Sequence, residues 1–232
     1  PHDAIRHGNH RAVPDFRGRL KALKGRGGKM VVVDPRRTET GKLADEFHFI
    51  RPGTDALLLM AMVHTLFEEN LVNLGHAEQW TKDVDLVRLA ALGFTPEAVS
   101  DTTGMPAADI RNLARQLATT PRAALYTRMG TSTQAFGGVA TWLAYVLNIL
   151  TGKLDSTGGM MFTQPAIDLI ALGGMSGQNG HFGKRFSRVK KLPEFAGEYP
   201  SSTIADEILV ADSGSTDGTL EILNELRLRH PS

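Results

Sequence analysis

Cysteine is absent from all 232 residues of this chain. Disulfides, thiolate zinc sites and cysteine-ligated iron–sulfur clusters are therefore excluded from it. It also lacks an excess of charge of either sign: 26 Lys and Arg face 25 Asp and Glu, a net charge of +1. So even a balance gives no electrostatic case for nucleic acid or another polyanion as a general partner. No stretch approaches the roughly 18 uninterrupted apolar residues that a membrane span needs. The opening, Pro1-His2-Asp3-Ala4-Ile5-Arg6, has neither an initiator methionine nor the pattern of a signal peptide. It is expected to be the interior of a longer protein.

What is present is ordinary globular material, 41% hydrophobic, enough for one large domain or two small ones. The stretch from Met30 to Asp55 organises the rest. Val31, Val32 and Val33 are three β-branched residues in a row, predicting a strand buried on both faces as in a parallel sheet. Asp34-Pro35 stops it, because proline has no N–H for a ladder. A carboxylate at the carboxyl end of such a strand lies where open α/β sheets bind ligands. Arg36, Arg37, Thr38 and Thr40 follow, cations and hydroxyls suited to phosphate and ribose oxygens. A second short strand, Glu46 to Ile50, runs into Arg51-Pro52-Gly53-Thr54-Asp55, a turn that opens a helix. Two readings stand side by side: a nucleotide site, or a strand terminator followed by a helix cap.

Elsewhere the pattern alternates helices and strands. Residues 1–14 form a polar leader with His2, His7 and His10 at spacings that fit no tight metal signature. Phe16 to Lys24 reads as a helix with Phe16, Leu20 and Leu23 on one face. A core-facing helix is predicted from Asp55 to about Leu71, capped by Thr54 or Gly53, with Leu58, Leu59, Met62, Val63, Leu66 and Phe67 at helical spacing. His64 beside that stripe is given no role. Residues 73–101 read as a mostly helical connection with a cap at Phe94-Thr95-Pro96-Glu97. Pro106 fits a first helical position ahead of Ile110, Leu113, Ala114 and Leu117.

Ala123 to Thr127 is a second candidate parallel strand, ending in Arg128-Met129-Gly130-Thr131-Ser132-Thr133-Gln134-Ala135-Phe136-Gly137-Gly138. A small-residue loop between strand and helix can aim backbone N–H groups at an anion, with Arg128 adding a charged contact. The same loop also suits plain close packing. A strongly apolar helix follows from Thr141 to Leu150, stopped at Gly152. The glycine-rich stretch Gly173 to Gly183 either lets backbone approach a ligand or forms a mobile surface loop. The basic run Lys184, Arg185, Arg188, Lys190 and Lys191 is a solvated face or a contact with further protein.

The segment VVVDPRRTETGKLADEFHFIRPGTDALLLMAMVHTLFEENL resembles the pterin-dinucleotide-binding region of the molybdopterin oxidoreductases, the dimethyl sulfoxide reductase superfamily with its formate dehydrogenases and nitrate reductases. Three further blocks resemble that family in the same order. They are Gly104-Met105-Pro106 through Ala118, Arg128-Met129-Gly130 through Gly138, and Leu147-Asn148 through Gly158-Gly159. The likeness runs from about Asp15 to Leu209.

That resemblance implies an α/β fold with a doubly wound, mainly parallel sheet flanked by helices, over residues 15–209. It implies a fragment of an enzyme that holds molybdopterin guanine dinucleotide with molybdenum or tungsten, used for two-electron redox or oxo-transfer chemistry. Asp34 and Asp55 are then the candidates for guanine and ribose, with Asp55 for the base, since guanine offers adjacent N1–H and N2–H donors to a carboxylate. Arg36 and Thr38 would reach ribose or diphosphate oxygens. Gly53, in the turn before Asp55, is a further cofactor-binding candidate, and Arg128, Gly130, Thr131, Ser132 and Gln134 would line a second dinucleotide loop. A glutamine near the pterin is Gln164 or Gln178. No catalytic residue and no metal ligand is assigned: in the family the metal-ligating residue and the iron–sulfur cluster lie upstream of this region. The expected partners are the pterin cofactor, the rest of the parent polypeptide and electron-transfer subunits, with no nucleic acid and no membrane span. The expected location is cytoplasmic, with the periplasm as alternative.

Residues 210–232 depart from that family. Asp212-Ser213-Gly214-Ser215-Thr216-Asp217-Gly218-Thr219 resembles the nucleotide-sugar-binding start of a family 2 glycosyltransferase, over about 20 residues. The alternatives are therefore a nucleotide-sugar-binding glycosyltransferase and a non-catalytic relative that has lost its cofactor. The tail itself is expected to be a strand and a helix, from a fusion or an artefact of assembly.

Overall fold

A computed structural model describes residues 15–162, 166–177, 182–195 and 197–199, together with Glu221, Ile222, Asn224, Glu225 and Leu228. The chain divides into two units, residues 1–163 and 164–232. The expected leader (1–14), Gln164, Gln178 and the tail motif at 210–219 lie outside the described residues, as does the expected boundary at 209/210.

The first unit begins with α1 (Phe16–Gly25), whose first turn is capped by the Asp15 carboxylate accepting the Gly18 N–H at 3.1 Å. β1 (Val31–Val33) and β2 (Glu46–His48) pair in parallel, with Val31 opposite Glu46 and Val33 opposite His48. The Asp34 N–H continues the ladder to the His48 carbonyl at 3.1 Å. Between them lies the single turn α2 (Glu39–Lys42), capped by Thr38. The valines are half-buried rather than buried on both faces. In a sheet of two strands each is an edge, so Val31 and Val33 reach the core while the rest of the strand stays partly open.

α3 (Asp55–Glu68) is the centre of the unit. Around it pack α4 (Val84–Ala91), α5 (Pro96–Thr103), α6 (Ala107–Thr119) and α8 (Gly137–Leu150). Of its predicted stripe, Leu58, Leu59, Met62, Val63 and Leu66 are buried, with Ile110, Leu113, Leu143 and Leu147 from the helices around it, while Phe67 packs against this core half-buried. Thr95 caps α5 as predicted, accepting the Ala98 N–H at 3.1 Å. A ring nitrogen of His64 lies 3.0 Å from the Ala91 carbonyl oxygen, a packing contact.

Three local expectations need correction. Pro106 is the N-cap of α6, one position before the first helical residue. α8 starts at Gly137 rather than at Thr141, because Gly137 and Gly138 enter the helix. Ala123–Thr127 joins no strand ladder among the described residues. Its backbone is held instead by a side chain. The buried Asn148 amide accepts the Leu125 N–H at 3.0 Å and donates to the Leu125 carbonyl at 2.8 Å.

In the second unit, α9 (Leu169–Met175) takes up part of the glycine-rich stretch. β3 (Phe182–Phe186) and β4 (Pro193–Phe195) pair antiparallel. Lys184, Arg185, Arg188, Lys190 and Lys191 are solvent-exposed. The described residues thus mix helices with two small sheets, an α/β composition.

Candidate functional site

Because β1 and β2 run parallel, the loops that leave their carboxyl ends emerge at one edge. The first loop carries Asp34, Arg36 and Thr38. The Asp34 carboxylate accepts the Arg36 N–H at 2.7 Å, a local turn that keeps the half-buried acid at the strand end. Thr38 is buried, and its hydroxyl oxygen accepts the Gly41 N–H at 3.3 Å to cap α2. Arg36 is exposed, whereas the Arg37 guanidinium sits 5.5 Å from the centre of the Phe47 ring.

The second loop, Arg51 to Thr54, is fastened by a residue that sequence reasoning passed over as a turn element. The Arg51 N–H donates to the Thr103 carbonyl at 2.8 Å, and its guanidinium donates to the Asp101 and Thr102 carbonyls at 3.1 Å each. A cation on the last carbonyls of α5 is favoured by the helix dipole. Gly53 takes φ +84°, a left-handed turn conformation that suits glycine. Thr54 stands at the N-cap, yet its hydroxyl donates back to the Arg51 carbonyl at 2.7 Å instead of capping the helix. Asp55 is the first helical residue, an acid at the positive end of α3.

The third loop includes the short helix α7 (Met129–Ser132). The Arg128 guanidinium bonds the Tyr126 hydroxyl at 2.8 Å. The hydroxyls of Thr131 and Ser132 donate to the carbonyls of Arg128 and Met129, at 2.7 and 3.3 Å. Those protons serve the loop's own turn, which leaves the hydroxyl oxygens as acceptors. Gln134 joins this loop to the second one. Its Nε2 donates to Asp55 Oδ2 at 2.7 Å, and also lies 3.2 and 3.1 Å from the carbonyl oxygens of Gly130 and Thr131. Gly53, Asp55, Gly130, Thr131 and Gln134 are therefore together. Asp34, Arg36 and Thr38 form their own cluster one strand over, at the same sheet edge.

This arrangement offers half-buried carboxylates beside cations and exposed backbone, a donor and acceptor set suited to a nucleotide. Among the described residues no group of three or more His, Cys, Asp or Glu could hold a metal ion. No helix among them is long and apolar enough to cross a membrane.

Comparison with known proteins bears on the family. The family model for molybdopterin oxidoreductases matches residues 9–213. Formate dehydrogenase H of Escherichia coli is 39% identical over 132 residues, 56% of this chain and 18% of that protein. Dimethyl sulfoxide reductase DmsA of the same organism is 32% identical over 159 residues, covering 60% of this chain and 20% of the relative. The solved structure of acetylene hydratase from Pelobacter acetylenicus superposes with a TM-score of 0.56 at 30% identity, over 62% of this chain and 20% of that one. The chain thus spans about a fifth of the length of these relatives.

Proposed function

We propose, since this chain belongs to the molybdopterin oxidoreductase family, that it forms part of the cradle for a pterin guanine dinucleotide in a larger molybdenum or tungsten oxidoreductase. The observation that supports this most is the shared edge. Asp34 and Asp55 follow two adjacent parallel strands, and a third loop is hydrogen-bonded to Asp55 through Gln134. When bound, the cofactor supplies two-electron redox or oxo-transfer chemistry, and the protein's share is to bind and orient it.

In this reading Asp55 accepts the guanine N1–H and N2–H, two parallel bonds that adenine cannot make. Asp34 accepts from ribose hydroxyls. The exposed Arg36 and the half-buried Arg128 neutralise diphosphate charge, and Thr38, Ser132, Thr131 and Gly130 complete the walls. Gly53 keeps the approach to Asp55 free of side-chain bulk: a Cβ built there has Gln134 Oε1 as its neighbour, at 3.7 Å. The β1–β2 pair is one part of a wider, doubly wound and mainly parallel sheet that other segments of the protein complete. The remaining polypeptide supplies the metal ligand, the iron–sulfur cluster and the contacts to electron-transfer subunits. A cytoplasmic location, or a periplasmic one, fits such an enzyme. The glycosyltransferase alternative rests on Asp212–Thr219 alone and is not favoured.

The test is chemical. Complete protein purified with its cofactor and then acid-hydrolysed is expected to release guanine nucleotide. Release of no nucleotide, or of adenine or cytosine nucleotide, would overturn the assignment.

A further inference from the structure

Asp55 and Gln134 are 79 residues apart in sequence and 2.7 Å apart in space. The glutamine amide is not a free arm. It is fastened to its own loop by the carbonyls of Gly130 and Thr131, and its Oε1 lies over the bare Cα of Gly53. An acid at the first position of a helix otherwise has several rotamers, including one that folds back onto the helix's own N–H groups. A carboxylate offers about four lone-pair positions. A donor that occupies one of them from a fixed place sets the direction of the rest.

We propose that Gln134 is a positioning residue: it fixes the Asp55 carboxylate in the orientation that selects guanine, without itself touching the base. This rests on the reading that Asp55 takes the base. A held carboxylate rewards two correctly placed donors, because little ordering entropy is left to lose on binding. It also discriminates against a base that presents an acceptor or lacks a donor, because it cannot rotate away from the mismatch. An unheld carboxylate would bind more weakly and forgive the wrong base. Selectivity is therefore predicted to depend on contact between two loops that the sequence keeps far apart.

The experiment is a calorimetric titration of the full chain with guanosine diphosphate and with inosine diphosphate, which lacks the N2 amine. The parent chain, Asp55→Ala, Gln134→Ala and the double variant are compared. The parent is expected to prefer the guanine ligand about tenfold, the scale of one hydrogen bond to a charged acceptor. Asp55→Ala is expected to abolish that preference. Gln134→Ala should reduce it to less than about threefold, while the inosine ligand binds as before, and should change nothing further in the Asp55→Ala background. Equal losses for both ligands, or the same loss with Asp55 already removed, would make Gln134 merely structural and overturn the proposal. An Asp55→Ala variant that keeps the preference would instead overturn the base reading itself, as would a parent chain that binds neither ligand. Gln134→Met, which keeps the bulk and loses the donor, repeats the comparison should the alanine variant fail to fold.

Discussion

Asn148 and Leu125 bond each other in both directions: the asparagine amide accepts the Leu125 N–H at 3.0 Å and donates to its carbonyl at 2.8 Å. The second amide proton goes to the Ala144 carbonyl at 2.7 Å, so the fully buried side chain is satisfied. One side chain on α8 thus does for residues 123–127 what a neighbouring strand would do. The segment leads straight into Arg128 and the third site loop, so its placement depends on this pair.

Replacing Asn148 by leucine keeps the volume but strands a backbone donor and acceptor. The expected cost is about 2–4 kcal/mol, the desolvation of two unpaired groups. Asn148→Asp should be at least as damaging, since a carboxylate accepts from Leu125 but cannot donate back. The midpoint of urea unfolding measures this, with an unchanged slope showing that the effect lies in the folded state. A loss below about 0.5 kcal/mol would show that the segment is held otherwise.

Acid should weaken the contact between α3, α5 and α6. Arg115 binds Glu69 through two bonds at 2.6 and 2.8 Å, and Arg111 binds Glu97 at 3.0 and 3.1 Å as well as Glu68. The Arg115 hydrogen bonds hold Glu69 below its ordinary 4.5, and those from Arg111 do the same for Glu97. On β2, the hydrogen bond to His48 lowers Glu46. Lowered carboxylates bind fewer protons folded than unfolded. Their stabilisation is complete above the ordinary value and is lost as pH falls through the folded values. The melting temperature is expected to fall from about pH 5 to about pH 3. Arg115→Met should flatten that slope and lower stability only modestly at neutral pH, because Arg115 is solvent-exposed and Glu69 only half-buried. An unchanged slope would remove Glu69 from the acid response.

Two adjacent glycines should behave in opposite ways. A Cβ on Gly137 would sit 2.1 Å from the Ser132 carbonyl oxygen, a backbone atom that cannot swing aside. Gly137→Ala is therefore expected to push the Gln134 loop off Asp55, lowering both the melting temperature and retention of guanine nucleotide. A Cβ on Gly138 would meet nothing within 4 Å beyond its own helix, so its alanine should be neutral or stabilising by up to about 1 kcal/mol inside a helix. Equal effects from both would show that helix propensity, and not the close approach, governs this turn.

Much of the scaffold was legible because it obeys local rules. The three-and-four spacing of α3, the Thr95 cap and the strand stop at Asp34-Pro35 are each written within a few residues. The misreadings share a different cause. Ala123–Thr127 has the composition of a strand, but its partner is a side chain 23 residues away, which no periodicity reveals. Gly137 and Gly138 read as loop, and packing against the core carries them into α8. Both aspartates could be named from their places after short strands. The Arg51 anchor and the Gln134 bridge could not, because each depends on a contact about 50 or 79 residues distant.

In the proposed reading Asp34 and Asp55 hold the nucleotide end of the cofactor. Its most direct test is the molybdenum, tungsten and pterin content of the complete protein carrying Asp55→Ala or Asp34→Ala, measured on folded material beside the parent. Both variants are expected to lose cofactor, Asp55→Ala the more, by about a hundredfold in affinity if two charge-assisted bonds to the base disappear. Full loading of Asp55→Ala under the same conditions would contradict the account.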